Sequence, residues 1–185
     1  MTELFLDFET TGLPKENRPP DDPLQPSIIE VGAILRENMI EQARLSFLVV
    51  HNDPIPDGAF NVHGITSEQT QKYGIDGETA VRVVNDLLTR ADVVVVHNVE
   101  FERKMFKIMC ARMKVPCAWP EKEFCTMLEI IARGYSKKRP QLGKAVLMTV
   151  PKEKHNDVLP VKHRALGDAI TCMAVYDGLK DLEGK

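Results

Sequence analysis

Residues 4–13 read LFLDFETTGL, and the reading of this stretch decides the fold. Leu4, Leu6 and Phe8 alternate with Phe5, Asp7 and Glu9, which is the period-two pattern of a β-strand. Four of its first five residues are apolar, so the strand is one to be buried. Asp7 and Glu9 are separated by one residue and therefore project from one face. Two like charges so placed repel each other unless solvent separates them or cations sit between them. Thr10, Thr11 and Gly12 follow, supplying hydroxyls and a turn residue that lets a backbone approach a ligand closely. The plain alternative is a solvated strand end that happens to be acidic.

Working outward, residues 14–27 carry five prolines and read as a loop between strands. SIIEVGAILREN (27–38) and ARLSFLVV (43–50) read as second and third strands, with connections short enough for antiparallel neighbours. Residues 52–66, NDPIPDGAFNVHGIT, are punctuated by Pro and Gly and read as irregular. From Gly77, the spacing of Ala80, Val83, Val84, Leu87 and Leu88 predicts a helix. ADVVVV (91–96) is a buried strand. A helix over 99–113 presents Phe101, Met105, Ile108 and Met109, with Asn98 as N-cap. Residues 124–132 read as a short strand running into a helix, and 164–179 as a final helix. That last helix turns inward Ala165, Ala169, Cys172 or Met173, and Val175 or Tyr176. Three strands, then helix–strand–helix, then further helices predict an α/β layer fold with a mixed sheet.

A chain of 185 residues with 43% hydrophobic content can bury one core without disulfide staples. Its four cysteines form no CxxC pair and read as small buried hydrophobes in a reducing compartment. The N-terminus lacks a basic stretch before an apolar core, and the longest aliphatic run, Val93–Val96, is far short of a membrane span. The expectation is a soluble, cytoplasmic protein with no membrane partner. A net charge of −3 neither demands nor excludes a nucleic acid. The charge is uneven, however. Residues 133–164 hold nine Lys/Arg against two acids, a net of +7, so the remainder carries −10. A solvated Lys-rich loop or a phosphate-binding stretch both fit this pattern.

Two further clusters carry chemistry. HNVEFER (97–103) sits at the end of the VVVV strand, where α/β sheets tend to place sites. Glu100 and Glu102 lie about 200° apart around a helix, so they cannot face one site, and both being solvated is the simple expectation. HRALGDA (163–169) places Asp168 on the final helix, and His163 can share a site with it only from the preceding loop. Carboxylates converging from three places would require divalent cations, and hard oxygen ligands select Mg²⁺ or Mn²⁺. Two such ions about 4 Å apart can clamp the attacking and leaving oxygens of a phosphodiester. A nearby His could take the proton of the attacking water, a contribution of ~10²–10⁴-fold.

DFETTG, HNVEFE and HRALGDA, in that order, resemble the three motifs of the DEDDh 3′→5′ exonucleases, which include the proofreading epsilon subunit of bacterial DNA polymerase III. NVHGIT (61–66) and IIEVGAI fit the same family, and FCTMLEIIAR with HRALGD is similar to its exonuclease X branch. The motifs span residues 7–168. The resemblance implies a ribonuclease H-like fold, with a mixed five-stranded sheet flanked by helices in a single exonuclease domain over 1–185. It implies that Asp7, Glu9 and Asp168 hold two divalent ions, Mg²⁺ or Mn²⁺, and that His163 is the general base. Glu102 stands where the family pattern has Asp, one methylene longer, with Glu100 as the fallback ligand. Thr10, Thr11 and Leu13 would border the 3′-terminal nucleotide, and His63, Gly64 and Ile65 would line its other side. Asn98 and Phe101 would lie along the strand, and Leu13 or Ile65 could wedge at the last base step. The implied activity is release of nucleoside 5′-monophosphates from single-stranded or frayed DNA 3′ ends, as in proofreading or DNA repair. The alternatives are an exoribonuclease acting on RNA, and a catalytically impaired nucleic-acid-binding subunit, which Glu102 motivates. No separate tail for docking a DNA polymerase is visible, so action alone is the expectation, with a polymerase as the alternative partner.

Overall fold

The computed structural model describes residues 1–159 and 163–183, so Lys162 of the basic stretch lies outside the described residues. The chain runs β1 (Thr2–Thr10), β2 (Ile28–Glu37), β3 (Ile40–Leu48), α1 (Asp57–His63), α2 (Ser67–Tyr73), α3 (Gly77–Arg90), β4 (Val93–Val96) and α4 (Val99–Met113). It continues through β5 (Glu123–Cys125), α5 (Thr126–Ala132), α6 (Leu142–Thr149), a 3₁₀ turn at Lys152–Lys154, α7 (His155–Val158) and α8 (Ala165–Glu183). The sheet order is β3-β2-β1-β4-β5. The first three strands pair antiparallel, and β4 and β5 join parallel to β1.

The alternation read in β1 decides which side chain meets which layer. Leu4, Leu6 and Phe8 enter one core with α3 and α4. Phe5 enters the other, with α5, α6 and α8. Asp7 and Glu9 share the Phe5 face and so point toward α8. The pairing of β1 with β4 covers only Glu3–Phe5, whereas its pairing with β2 continues to Thr10. Beyond Phe5 the β4 side of β1 is therefore open, and a crevice forms at the carboxyl ends of the central strands.

Two features of β2 let α8 reach this crevice. Gly32 lies opposite Asp7. A Cβ there would fall 2.1 Å from the Ala165 carbonyl carbon and the Leu166 nitrogen, so only glycine lets the start of α8 rest on the sheet. At the other end of the same face, Arg36 donates to Glu3 Oε2 at 2.8 Å and forks onto Asp177 of α8 with two 2.8 Å bonds. Tyr176 and Lys180 of α8 donate to Glu3 Oε1 at 2.9 and 3.0 Å. Burial pushes the Glu3 carboxyl up, but Lys180, Arg36 and Tyr176 outweigh it and hold it below its ordinary value.

Several expectations are corrected here. Residues 52–66 are not irregular: Pro56 precedes α1 and Gly64 ends it in the left-handed region at φ 70°, so Pro and Gly bound a short helix. Thr66 and Gln69 then form a capping box that starts α2. The third strand begins three residues earlier than read, at Ile40. Val81 rather than Val83 is buried on α3. Asn98 stands at the start of α4 but makes no side-chain cap bond. In α8 both Val175 and Tyr176 turn inward, and Cys172 does so rather than Met173. Cys110 and Cys172 are buried, whereas Cys117 is exposed and Cys125 intermediate. Among the described residues no helix is long and apolar enough to cross a membrane.

Arg36 and Glu3 are each only 4% exposed at the side chain. Arg36→Ala leaves Glu3 buried with Lys180 and Tyr176 alone. Loss of one partner from such a pair costs about 3 kcal/mol, which the urea-unfolding midpoint will report.

Candidate active site

Four carboxylates meet in the crevice. Asp7 and Glu9 arrive on the last residues of β1, Asp168 on the first turn of α8, and Glu102 on the first turn of α4. Each of Asp7, Glu9 and Asp168 offers an oxygen within 4.8 Å of the others. Glu102 is 5% exposed and its Oε2 has no hydrogen-bond partner; Asp168 Oδ1 is likewise buried and unpartnered. Glu100 turns the other way, is more than half exposed, and pairs with Arg139 at 2.8 Å. The 200° separation of the two glutamates is thus realised, with Glu102 inside rather than solvated and Glu100 removed as a fallback.

Charge crowding shows in every one of these groups. Burial and the neighbouring Glu102 and Asp168 push Asp7 well up. Glu9 is pushed up to about 7 by burial, with Asp168 and Glu30 adding to it. Burial also raises Glu102, with the Glu9 charge adding and a Phe8 backbone bond opposing. Burial raises Asp168, against the pull of His163. Unpartnered buried oxygens on converging acids fit divalent cations held by hard oxygen ligands.

His163 lies ahead of α8, and its Nδ1 bonds Asp168 Oδ2 at 2.8 Å. That bond to a carboxylate puts the ring hydrogen on Nδ1 and leaves Nε2 as the acceptor of the neutral ring. Asp168 raises the His163 pKa, although burial opposes it. A cavity of about 530 Å³ contains these groups and is lined also by Asn98, Phe101, Met127, Gln141 and Lys144. A larger cleft of about 940 Å³ lies by Thr11, Leu13 and Arg112. It lacks the carboxylate cluster, and the Arg112 guanidinium there is occupied by the carbonyls of Asp22, Pro23, Gln25 and Pro26 and the Ser27 hydroxyl.

The expected substrate contacts divide. Asn98 and Phe101 do line the cavity. Leu13 is 78% exposed. Ile65 is 2% exposed, so it cannot act as a wedge, and His63 is equally buried. The His63 Nδ1 accepts the Ile65 N–H at 2.9 Å, and burial lowers its pKa. Gly64 serves as the stop of α1. The Thr10 hydroxyl donates to the Gly12 carbonyl and the Thr11 hydroxyl accepts from the Ser27 N–H, both at 2.9 Å. The Thr10 hydroxyl thus closes the turn, and the Thr11 oxygen ties it to the residue before β2 while keeping its O–H as a donor. The basic stretch is also partly spent on structure: Arg133 pairs with Glu129 and Arg164 with Glu30, while Arg139 meets Glu100 in an exposed pair.

Glu30 escapes a reading by motif. It lies opposite Glu9 on β2, is 1% exposed, and accepts from Arg164 and from the Ala165 N–H at 3.0 Å. It thereby anchors the segment that carries His163 and the first turn of α8. The signal was present: an acid inside the apolar run IIEVGAIL must find partners once buried. His97 is similar. Its two ring nitrogens bond the Thr126 hydroxyl at 2.7 Å and the Pro140 carbonyl at 3.0 Å, which fixes the loop leading to Gln141 and Lys144.

Comparison with known proteins agrees with this geometry. The RNase T exonuclease family model matches residues 4–176. The chain therefore belongs to the exonuclease family. No curated protein matches the sequence significantly. Among solved structures, E. coli exonuclease I in complex with a dA16 oligonucleotide superimposes with a TM-score of 0.76 at 16% identity, over 97% of this chain and 41% of that one. Exonuclease X in complex with 5′ overhanging duplex DNA gives 0.67 at 20% identity, over 99% and 93%. An apo exonuclease I gives 0.71 at 18%, over 97% and 42%. The chain thus spans about two-fifths of the exonuclease I chains it matches. The fold is ribonuclease H-like, with a mixed five-stranded sheet flanked by helices, as the resemblance implied.

The raised carboxyl groups carry a pH signature. Their folded pKa values exceed the unfolded ones, so the protonated forms favour folding and that contribution is lost as pH rises from about 4 through the Glu9 value of about 7. His163, also raised, loses its contribution in the same direction. In EDTA the protein should melt lower at pH 8 than at pH 5.5, and Asp7→Asn should narrow the difference. Thermal melts across pH test this.

Proposed function

We propose that this chain is a metal-dependent 3′→5′ exonuclease that releases nucleoside 5′-monophosphates from DNA ends, with residues 1–185 forming one exonuclease domain. The observation that carries the reading is the convergence of Asp7, Glu9 and Asp168 with His163 bonded to Asp168. Membership of the exonuclease family supports phosphodiester hydrolysis. The DNA held by the exonuclease I and exonuclease X neighbours supports DNA as the polymer.

Asp7, Glu9 and Asp168 would hold two divalent ions, Mg²⁺ or Mn²⁺, and the unpartnered Glu102 Oε2 faces the same acids. When bound, such ions neutralise the phosphodiester and make a better nucleophile of water. The remaining tasks fall to the chain itself. His163 Nε2 takes the proton of the attacking water, and Asp168 holds the ring in the tautomer that allows it. Asn98 and Phe101 border the terminal nucleotide inside the cavity, and exposed Leu13 meets the last base step. Glu102 stands in place of Asp and lines the same cavity from the start of α4.

The test is incubation with labelled single strands of DNA and of RNA plus Mg²⁺ or Mn²⁺. DNA shortened from its 3′ end, with 5′-monophosphates released, is the expected result. RNA as the preferred polymer would replace the DNA assignment, and no cleavage of either would leave a binding module. Asp7→Ala should abolish cleavage without unfolding the protein, as judged by circular dichroism. His163→Ala should lower kcat by ~10²–10⁴-fold. Glu102→Asp should retain cleavage, with any change appearing in the Mg²⁺-to-Mn²⁺ ratio of rates. Saturating Mg²⁺ or Mn²⁺ should raise Tm, since a ligand at 100 times its Kd stabilises by about 2.7 kcal/mol.

A further inference from the structure

A second cleft, of about 610 Å³, opens beside the carboxylate cavity. Asn98 and Phe101 line both, so the two spaces share a wall. The chemistry changes sharply between them. The first holds four carboxylates. The second is walled by Arg103, Lys104 and Lys107 of α4 and by Arg139 from the loop before α6, with Leu13, Pro14 and the two carboxylates Glu16 and Glu100 also lining it. Four cations against two acids leave this groove positive in a chain whose net charge is −3.

These cations are available. Lys107 is exposed and forms no ion pair among the described residues. Lys104 pairs with Glu16, whose side chain is 83% exposed, and Arg139 pairs with Glu100 where both are more than half exposed. Exposed pairs of this kind contribute about 0–1 kcal/mol, so a phosphate can take the place of either acid at little cost. Arg103 is held by Glu123 at 2.5 Å and is the least free of the four. Arg103 and Lys107 lie four residues apart on α4, a rise of about 6 Å, comparable to one nucleotide step of an extended strand.

We propose that this groove binds the phosphates of the substrate strand on the 5′ side of the terminal nucleotide, with Lys107 and Arg139 as principal contacts. The inference rests on the nuclease reading and extends it. A polyanion whose end enters a carboxylate-lined cavity needs opposite charge close behind that end, and the groove supplies it one step away. It also assigns part of the basic stretch: Arg139 faces the strand, whereas Arg133 and Arg164 serve the fold.

The test compares a single-stranded oligonucleotide with the p-nitrophenyl ester of thymidine 5′-monophosphate, which is too short to reach the groove. Lys107→Glu and Arg139→Ala should each lower the ratio of kcat/KM for the oligonucleotide to that for the ester, by about tenfold for the charge reversal, through KM. Each cation removed should also flatten the slope of log affinity against log salt by about 0.7, measured by anisotropy of a labelled strand. An unchanged ratio and slope, or an equal fall on both substrates, overturns the groove assignment. Failure of the wild type to hydrolyse either substrate overturns the nuclease reading instead; the anisotropy slopes of wild type and Lys107→Glu then still decide whether the groove binds the strand.

Discussion

Mutual repulsion among Asp7, Glu9, Glu102 and Asp168 is the constraint around which the rest of the molecule is arranged. Burial raises all four carboxyls, Glu9 to about 7; the charge of others in the cluster adds to it for Asp7, Glu9 and Glu102, and that of Glu30 for Asp168. Such a cluster opposes folding when ionised, so the scaffold must hold it in place by means that do not depend on it. Two apolar cores, one on each face of the sheet, perform that task. Strand β1 is central in the sheet, paired on one side through Thr10 and on the other only as far as Phe5.

The two ends of β1 make the point by contrast. Glu3 and Glu9 lie on one face of one strand, toward the same helix. Glu3 meets Arg36, Tyr176 and Lys180, and its carboxyl is held down. Glu9 meets more acids, and its carboxyl is pushed up. The satisfied end joins β1 and β2 to α8, and the other end brings Asp7 and Glu9 to Asp168. A buried acid with full hydrogen bonding is a structural element, and one left without partners is a site in want of a ligand.

Helix α8 joins these two halves. Its first turn rests against Gly32, where no side chain fits, and its N-terminal segment is tied to Glu30 through Arg164 and the Ala165 N–H. Its later turns carry Tyr176, Asp177 and Lys180 to the Glu3 network. Asp168 and His163 thus take their positions from contacts made at both ends of the sheet. On the opposite side, α4 presents Glu102 inward and Glu100, with the groove cations, outward, so one helix separates the carboxylate cavity from the basic groove.

The sequence by itself determined the strand alternation of residues 4–9, the order of strands and main helices, and the three acidic motifs with His163. These are legible because side-chain period, strand apolarity and motif order are local properties of a chain. It also determined that Glu100 and Glu102 must face apart, since helical geometry allows nothing else. Only the tertiary structure decided which of them turns inward, that Ile65 and His63 are buried, and that the Thr10 hydroxyl closes a turn which the Thr11 oxygen ties to Ser27. It alone decided that Glu30 and Gly32 seat α8, and that Arg133 and Arg164 pair internally while Lys107 forms no ion pair among the described residues. The seating of α8 in particular depends on partners remote in the chain, Glu30 with Arg164 and Glu3 with Tyr176. Burial and pairing across such distances are properties of the packed layers, which no local pattern encodes.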